Sequence, residues 1–289
     1  MSPKLRRRVL RLLVFAILCV VGVVMLFPFV LMIVTSLRSK DQYVAGSGFS
    51  LDSWTQLFAQ VPILGQLWNS TLVTAGGVAL ILIVSTTGGY AFSKLTFKGS
   101  GLVFLAILSG MMIPVQSIII PVYVNIVNVA RFHVDVLGNH LTVNQFFGIN
   151  QLPSAIVVYA ALGAPFATYL MTTYYRGIPT ELLEASVMDG ATYWQIFRKV
   201  MLPLAVPAIT TVAVLQVIQI WDDLLVGLLF LQTPAVRTIT VGLAVLQNGR
   251  VVSIPLLMAG SLVSALPAII VYLIFQRYLI QGLTMGVNK

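Results

Sequence analysis

The chain has 289 residues, of which 58% are hydrophobic and only 9% are charged, and its mean hydropathy is +0.98. Because an ordinary soluble domain carries roughly 25% charged residues, this composition excludes a soluble globular protein and indicates an integral membrane protein. A net charge of +9 could suggest binding to nucleic acid. Most of the basic residues, however, flank apolar segments on one side of the predicted membrane domain, so we predict no nucleic-acid partner.

The first predicted span covers residues 12–34 and follows a basic N-terminus that contains Lys4 and four arginines ending at Arg11. This apolar run is longer than the core of a secretory signal peptide and lacks a small-residue cleavage site. We therefore interpret it as a transmembrane helix with a cytoplasmic N-terminus. The only cysteine, Cys19, lies within it, which excludes a disulfide or a cysteine metal site inside the chain.

A polar connection leads to the second predicted span, residues 70–93. In this connection, the segment 49–58 places Trp54, Leu57 and Phe58 at helical spacing. Two interpretations stay open for the segment: a short helix on the outer membrane surface, or an ordinary loop.

The third predicted span, residues 102–129, contains Pro114 and Pro121. Proline inside a spanning helix leaves carbonyl groups that other helices or water must satisfy. The sequence therefore predicts a kinked helix in a packed bundle, with a broken helix beside a substrate site as the alternative.

The connection 130–152 carries both histidines, His133 and His140, with Asp135 between them. Their spacing matches neither an HExxH pattern nor a zinc-finger pattern. We interpret them as surface residues and predict no metal site.

Three further apolar runs, residues 153–175, 204–231 and 255–276, complete the pattern. The predicted fold is an all-α, polytopic membrane domain of six transmembrane helices that extends over residues 1–289. An even number of spans puts both termini on the same side of the membrane. With that side cytoplasmic, most of the 17 basic residues lie inside, as the positive-inside rule requires. The predicted location is the cell membrane, with lipid around the helices.

The most informative stretch is the charged segment 180–203, between the fourth and fifth predicted spans. Thr180 has the position of a helix N-cap, Gly190 has that of a helix end, and Thr192 with Gln195 has capping-box spacing. The second helix has one apolar face, formed by Ile196, Phe197, Val200 and Met201. The sequence therefore predicts a polar helix-turn-helix on the cytoplasmic side.

This segment resembles the EAA loop of importer-type ABC transporter permeases, in which E-A-A is followed by a glycine and then by I-x-L-P. The matching residues are Glu184-Ala185-Ser186, Gly190 and Val200-Met201-Leu202-Pro203, with serine for the third-position alanine and valine for isoleucine. Shorter matches resemble the carbohydrate-uptake branch, specifically its maltose-permease-like second subunit. These matches are Asn69-Ser70, Ala91-Phe92-Ser93-Lys94, Ile113-Pro114, Gln276-Arg277-Tyr278 and Gly282-Leu283-Thr284.

The resemblance implies that a coupling helix in this loop docks on a cytoplasmic ATPase subunit. The residues implied in this coupling are Glu181, Glu184, Ala185, Ser186, Asp189, Gly190, Leu202 and Pro203. The implied partners are a second homologous permease subunit, two cytoplasmic ATPase subunits and an extracytoplasmic solute-binding protein. Because the sequence lacks a GxxxxGKS/T phosphate loop, we expect the ATPase subunits to use ATP and magnesium. We expect this chain to bind no cofactor and to be a transport subunit, not an enzyme.

Two adjacent carboxylates, Asp222 and Asp223, lie in the fifth predicted span, where a central aspartate costs about 2.5–3.5 kcal/mol on insertion scales. Roughly 30 Å of helix separates them from Pro203, so they either reach the outer interface or line the cavity. The candidate substrate-path residues are Gln216, Gln219, Trp221, Asp222 and Asp223. Gln216, Gln219 and Asp223 share one helical face, and amide and carboxylate groups beside an aromatic ring suit a sugar. Related sugar permeases tend to have Trp-Asn where this chain has Trp221-Asp222.

Two other functional interpretations stay open. An importer of the same class would carry another solute, such as a glycerol phosphodiester or a polyamine, although a phosphate group calls for basic residues that the spans lack. Alternatively, a proton-coupled secondary transporter would use Asp222 and Asp223 as its relay. A requirement for ATP and partner subunits separates the two classes.

Overall fold

A computed structural model of the chain describes residues 3–130, 133–136, 139–142, 147–247 and 253–284. Nearly all of these residues are helical, which confirms the predicted all-α membrane class. Among the described residues, four helices are long and apolar enough to cross a membrane, and two bent pairs of helices would raise the number of spans to six.

Helices account for almost every described element. In chain order they are α1 (Pro3–Ser36), α2 (Lys40–Ala45), α3 (Asp52–Gln60), α4 (Ile63–Lys94), α5 (Ser100–Gly110), α6 (Val115–Ala130), α7 (Leu152–Arg176), α8 (Glu181–Met188), α9 (Tyr193–Ile196), α10 (Leu202–Leu204), α11 (Val206–Trp221), α12 (Leu225–Phe230), α13 (Ile239–Gln247) and α14 (Ile254–Thr284). A π-helical turn, Phe197–Met201, joins α9 to α10. Long apolar runs fold as helices because a helix satisfies its backbone N–H and C=O groups internally, where lipid offers no partners.

The chain divides into two compact units, residues 1–63 with 245–265 and residues 64–244 with 266–289. In the first unit, α1 is the longest element, and 0% of its most apolar 18-residue window is buried. Packing within this chain therefore contributes almost nothing to α1. Its length and its exposed apolar side chains suit a helix that crosses a membrane.

The connection that follows α1 is tightly hydrogen-bonded. Ser39 and Gln42 form a capping box at the start of α2, and the Ser53 hydroxyl donates to the Arg38 carbonyl at 2.7 Å. Leu57 of α3 is fully buried. Of the two interpretations of segment 49–58, the structure has the helix, which begins at Asp52.

The predicted third span is not a single kinked helix. Its residues form α5 and α6, which meet at an angle of 99°. The break ends at Pro114, which has no N–H to donate and disfavours helical geometry in the residue before it. Pro121, by contrast, lies inside α6 and does not end it.

A short hairpin follows α6. Strands β1 (His133–Val136) and β2 (Asn139–Thr142) are antiparallel, with Asp135 paired opposite His140. The sequence-based interpretation of the two histidines as surface residues concerns side chains outside the described part of the structure.

The core of the second unit is formed by α4, α7, α11, α12 and the end of the 180–203 segment. Its largest fully buried side chains include Tyr175, Phe230, Ile81, Met171, Ile196 and Met201. The helices approach closely at Gly163 of α7, where an added Cβ would lie 2.5 Å from Gln216 Oε1 and 2.6 Å from Ile81 Cδ1. Small residues permit such close contact between membrane helices, which strengthens their packing.

Candidate functional site

Helix α8 and the turn after it form the first half of the 180–203 loop. The N–H of Gly190 donates to the Val187 carbonyl at 2.9 Å, and the N–H of Ala191 donates to the Ser186 carbonyl at 3.0 Å. This pair of bonds is a Schellman motif, which needs a left-handed residue after the helix cap. Gly190 supplies that residue with a φ of +78°, so the predicted helix end is confirmed.

The outer surface of α8 is exposed and is not covered by the rest of the described chain. None of its residues is buried, and the side chain of Met188 is 87% exposed. Leu183 alone among its large apolar residues packs against the core. The predicted coupling carboxylates Glu181, Glu184 and Asp189 are all exposed, as is Ala185. The helix therefore offers both charges and apolar side chains to a partner.

Helix α8 begins after Thr180, so the predicted N-cap position is confirmed, but the Thr180 side chain does not cap the helix. Thr180 already has helical angles, with φ −72° and ψ −24°, and its side chain accepts no capping hydrogen bond. An N-cap side chain reaches the first N–H groups only from extended geometry, so the predicted capping role of this hydroxyl is wrong. The Thr180 carbonyl instead accepts from the N–H groups of Leu183 and Glu184. Ser186, another predicted coupling residue, is half-buried and donates to the Leu182 carbonyl at 2.7 Å.

The second helix of the loop begins as predicted. The Gln195 N–H donates to Thr192 Oγ1 at 3.3 Å, and the Thr192 N–H donates to Gln195 Oε1 at 2.8 Å. This capping box fixes the direction of α9 after the Gly190 turn. The predicted apolar face is also confirmed, because Ile196, Phe197 and Met201 are buried and Val200 is half-buried.

Aromatic side chains attach this second helix to the end of α4. The ring centroids of Tyr90 and Phe197 are 5.2 Å apart, and within the second helix Trp194 packs on Phe197 with ring centroids 5.3 Å apart. The Tyr90 hydroxyl also donates to the Tyr193 carbonyl at 3.2 Å. Because aromatic pairs contribute about 0.5–1.5 kcal/mol beyond area burial, the second helix is held firmly while α8 stays exposed.

The last predicted coupling residues, Leu202 and Pro203, follow the π-helical turn. Pro203 has no N–H for the carbonyl four residues earlier, and its ring would clash with that carbonyl in an α-helix. A π turn immediately before the proline widens the backbone there, with the Leu202 N–H donating to the Phe197 carbonyl. The helix then bends by 72° into α11, and the Tyr174 hydroxyl donates to the Leu204 carbonyl at 2.8 Å.

One further contact holds the start of the loop, and the sequence analysis did not find it. Lys94 Nζ donates to the Ile178 carbonyl at 2.5 Å. The end of α4 thereby contacts the chain just before the loop through Lys94, and the second half of the loop through Tyr90. Nothing in the spacing of the sequence signals this pair, because the partners are 84 residues apart.

At the other end of α11, Asp223 is half-buried, and its carboxylate is hydrogen-bonded within the protein. Its Oδ1 accepts a hydrogen bond from the Tyr159 hydroxyl at 2.9 Å and another from the Val226 N–H at 2.8 Å. Helix α11 ends at Trp221, so Asp223 lies in the break before α12 and caps the α12 N-terminus. Asp223 therefore stabilises the break.

Gln216 is also internal. Its side chain is only 1% exposed and lies against Gly163, and its Nε2 has no hydrogen-bond partner among the described residues. Trp221 is buried as well, at 6% exposure, and its carbonyl accepts from the Thr240 hydroxyl at 3.0 Å. Gln219 and Asp222 are the exposed members of the predicted substrate-path set. The structure thus separates the five candidates into an internal group and an exposed pair.

The Asn69-Ser70 motif has a structural explanation. Asn69 Nδ2 donates to the carbonyls of Ala235 and Arg237, at 2.9 and 3.1 Å, and Ser70 Oγ accepts from the Ile239 N–H at 2.9 Å. The motif therefore fixes the chain that enters α13.

No group of three or more metal-binding side chains occurs in the described part of the chain.

The sequence of the chain matches a known protein family. The model of the family described as "Binding-protein-dependent transport system inner membrane component" matches residues 86–285. This range includes the whole 180–203 loop and all of α11 and α12.

Named relatives match over most of their length. The chain is 30% identical over 278 residues to the arabinooligosaccharides transport system permease protein AraQ of Halalkalibacterium halodurans, covering 92% of each chain. It is 32% identical over 257 residues to the trehalose transport system permease protein SugB of Mycobacterium tuberculosis, covering 86% of each. A crystal structure of a bacterial ABC transporter that imports the acidic polysaccharide alginate shares the fold, with a TM-score of 0.78 at 22% identity. That alignment covers 96% of this chain and 98% of the other.

Proposed function

The chain belongs to the family of binding-protein-dependent transport system inner membrane components, and from this premise we propose that it forms half of the translocation path of an ATP-driven sugar importer. The predicted relationship to importer permeases is thereby confirmed. A sugar or oligosaccharide as solute is supported by the relatives, whose names specify arabinooligosaccharides and trehalose.

The observation that carries the proposal is the contrast between the two helices of the 180–203 loop. Helix α8 has no buried residue, whereas the helix that follows is packed against α4 by Tyr90 and Phe197. A short exposed helix with carboxylates and apolar side chains suits docking in a cleft of a soluble partner. A displacement of α8 would then reach α11 through the firmly held second helix.

The partner at α8 is a cytoplasmic ATPase subunit. Glu181, Glu184, Ala185 and Asp189 provide its contact surface, while Ser186, Gly190, Leu202 and Pro203 shape the loop. Because the sequence has no phosphate loop, hydrolysis of ATP with magnesium takes place on two such ATPase subunits and not on this chain. The chain is a transport subunit without an ATPase site of its own.

The remaining assembly follows from the same proposal. A second homologous permease subunit completes the translocation path, and an extracytoplasmic solute-binding protein delivers the solute. The basic N-terminus and the 180–203 loop lie on the cytoplasmic side, so both termini are cytoplasmic. The predicted candidates for lining the path were Gln216, Gln219, Trp221, Asp222 and Asp223, and of these Gln219 and Asp222 are the exposed residues.

The test is transport by the reconstituted complex in proteoliposomes. Uptake of arabinooligosaccharides or trehalose should require ATP, both ATPase subunits and the solute-binding protein. Proteoliposomes that contain the permease chains without ATPase subunits are the control. Solute uptake by this control under a pH gradient alone would overturn the proposal in favour of a proton-coupled transporter.

A further inference from the structure

Two polar side chains at the end of α11 have no partner within the described residues. Gln219 and Asp222 are exposed, and neither side chain makes a hydrogen bond or an ion pair there. Because they are three residues apart, they lie on the same side of the helix end. Gln216 and Asp223 differ, since the first is buried and the second is bound by Tyr159.

The surroundings of Asp222 disfavour a carboxylate. Between residues 206 and 231, Asp222 and Asp223 are the only charged residues. Asp222 is also the C-cap of α11, where the negative end of the helix dipole repels an anion. Contact with lipid tails would add a further penalty. An exposed carboxylate at this position therefore faces water and not lipid.

We propose that Gln219 and Asp222 contact the transported solute on the wall of the translocation path, and that this solute is uncharged and polyhydroxylated. The inference rests on the function proposed above. A carboxylate accepts hydrogen bonds from adjacent hydroxyl groups, and an amide both donates and accepts. The negative charge of Asp222 repels an acidic solute, so the pair selects among sugars by charge.

Asp223 and Gln216 have a different part in this arrangement. Asp223 fixes the break between α11 and α12 from inside, and Gln216 fills the space beside Gly163. Both position the helix end that carries the exposed pair. Neither is proposed to contact the solute.

The first experiment uses cysteine accessibility in the complete transporter. The chain has a single cysteine, so Cys19→Ser provides a background into which Gln219→Cys, Asp222→Cys or Ile83→Cys can be introduced. Ile83 is 60% exposed on α4 and serves as the apolar control. A hydrophilic methanethiosulfonate reagent should modify Gln219→Cys and Asp222→Cys at least about tenfold faster than the control.

The same variants distinguish a path position from a position at the outer interface. In a path, the rate of modification should change by about tenfold or more between the nucleotide-free and the vanadate-trapped complex, because access alternates. Equal rates in the two states, or rates equal to that of Ile83→Cys, would overturn the inference. Solute-binding-protein-stimulated ATP hydrolysis of the Cys19→Ser complex is measured in parallel. Loss of that stimulation would instead indicate failure of the proposed function.

The second experiment measures how the negative charge of Asp222 affects the reaction of charged reagents at position 219. The rates of a cationic and an anionic methanethiosulfonate reagent at Gln219→Cys give a ratio that does not depend on the identity of the solute. Asp222→Asn should lower this cation-to-anion ratio at least about threefold, since one nearby negative charge is removed. The ratio at Ile83→Cys should stay constant. An unchanged ratio at Gln219→Cys would refute charge selection by Asp222.

Discussion

The hydroxyl of Tyr159 donates a 2.9 Å hydrogen bond to the carboxylate of Asp223, and this bond connects α7 to the break between α11 and α12. The same carboxylate oxygen caps α12 through the Val226 N–H. Two elements that are distant in sequence are thereby fixed by one side chain inside a largely apolar segment.

Loss of this carboxylate should destabilise the protein. Asp223→Ala leaves the buried Tyr159 hydroxyl and the Val226 N–H without their acceptor, which we expect to cost about 1–3 kcal/mol. The measurement is thermal unfolding of the purified complex in detergent. Asp222→Ala is the matched control, because its exposed side chain has no partner among the described residues. Equal melting temperatures for the two variants would contradict this role of Asp223.

The turn after α8 should tolerate asparagine but not valine. Gly190 has a φ of +78°, and no atom lies within 4 Å of an added Cβ, so any penalty arises from the backbone. A left-handed conformation costs roughly 1–2 kcal/mol for an ordinary L-residue, and less for asparagine. Gly190→Val should abolish uptake and weaken binding of the ATPase subunits while the chain still inserts. Gly190→Asn should keep most uptake; equal loss in both variants would argue against a conformational cause.

The charge at Glu184 should be needed for docking. Glu184→Lys reverses an exposed carboxylate on α8, and we expect it to reduce co-purification of the ATPase subunits about tenfold or more. Glu184→Asp retains the charge and should associate nearly normally. Membrane insertion is checked by the yield of the chain in the membrane fraction. Normal association of Glu184→Lys would refute the coupling role of this residue.

The contact at Gly163 should not accept a methyl group. Gly163→Ala would place its Cβ 2.5 Å from Gln216 Oε1 and 2.6 Å from Ile81 Cδ1. Overpacking of this kind costs about 1–3 kcal/mol, so the melting temperature of the complex should fall. Gly22→Ala is a suitable control, because a Cβ at that position of α1 meets no atom within 4 Å. A melting temperature unchanged by Gly163→Ala would show that the neighbouring side chains can move aside.

Features set by neighbouring residues could be predicted from the sequence. The capping box of Thr192 and Gln195 and the helix end at Gly190 depend only on local backbone geometry, and both are present. The same local reasoning placed Thr180 correctly at the N-cap position of α8 but was wrong about its side chain, because Thr180 itself has helical angles. Pro114 indicated where the third predicted span departs from a straight helix. The angle of 99° between α5 and α6 could not be predicted in the same way, because it depends on how the two helices pack.

The candidate site shows where helical spacing is insufficient. Gln216, Gln219 and Asp223 share one face only if the helix continues to residue 223, whereas α11 ends at Trp221. Asp223 then turns inward, because Tyr159, 64 residues away, offers a hydroxyl. A contact between side chains so distant in sequence has no signature in a single sequence, which is why the sequence analysis did not identify Tyr159.

The exposure of α1 has a consequence for how its sequence can change. With 0% of its most apolar window buried, the chain itself imposes no requirement of shape on those side chains. Exchanges among leucine, isoleucine, valine and phenylalanine there should leave the fold unaffected, as long as the helix stays apolar. At Met171, which is fully buried in α7, volume as well as polarity is fixed. Packing within this chain therefore constrains the sequence of α1 less than that of α7.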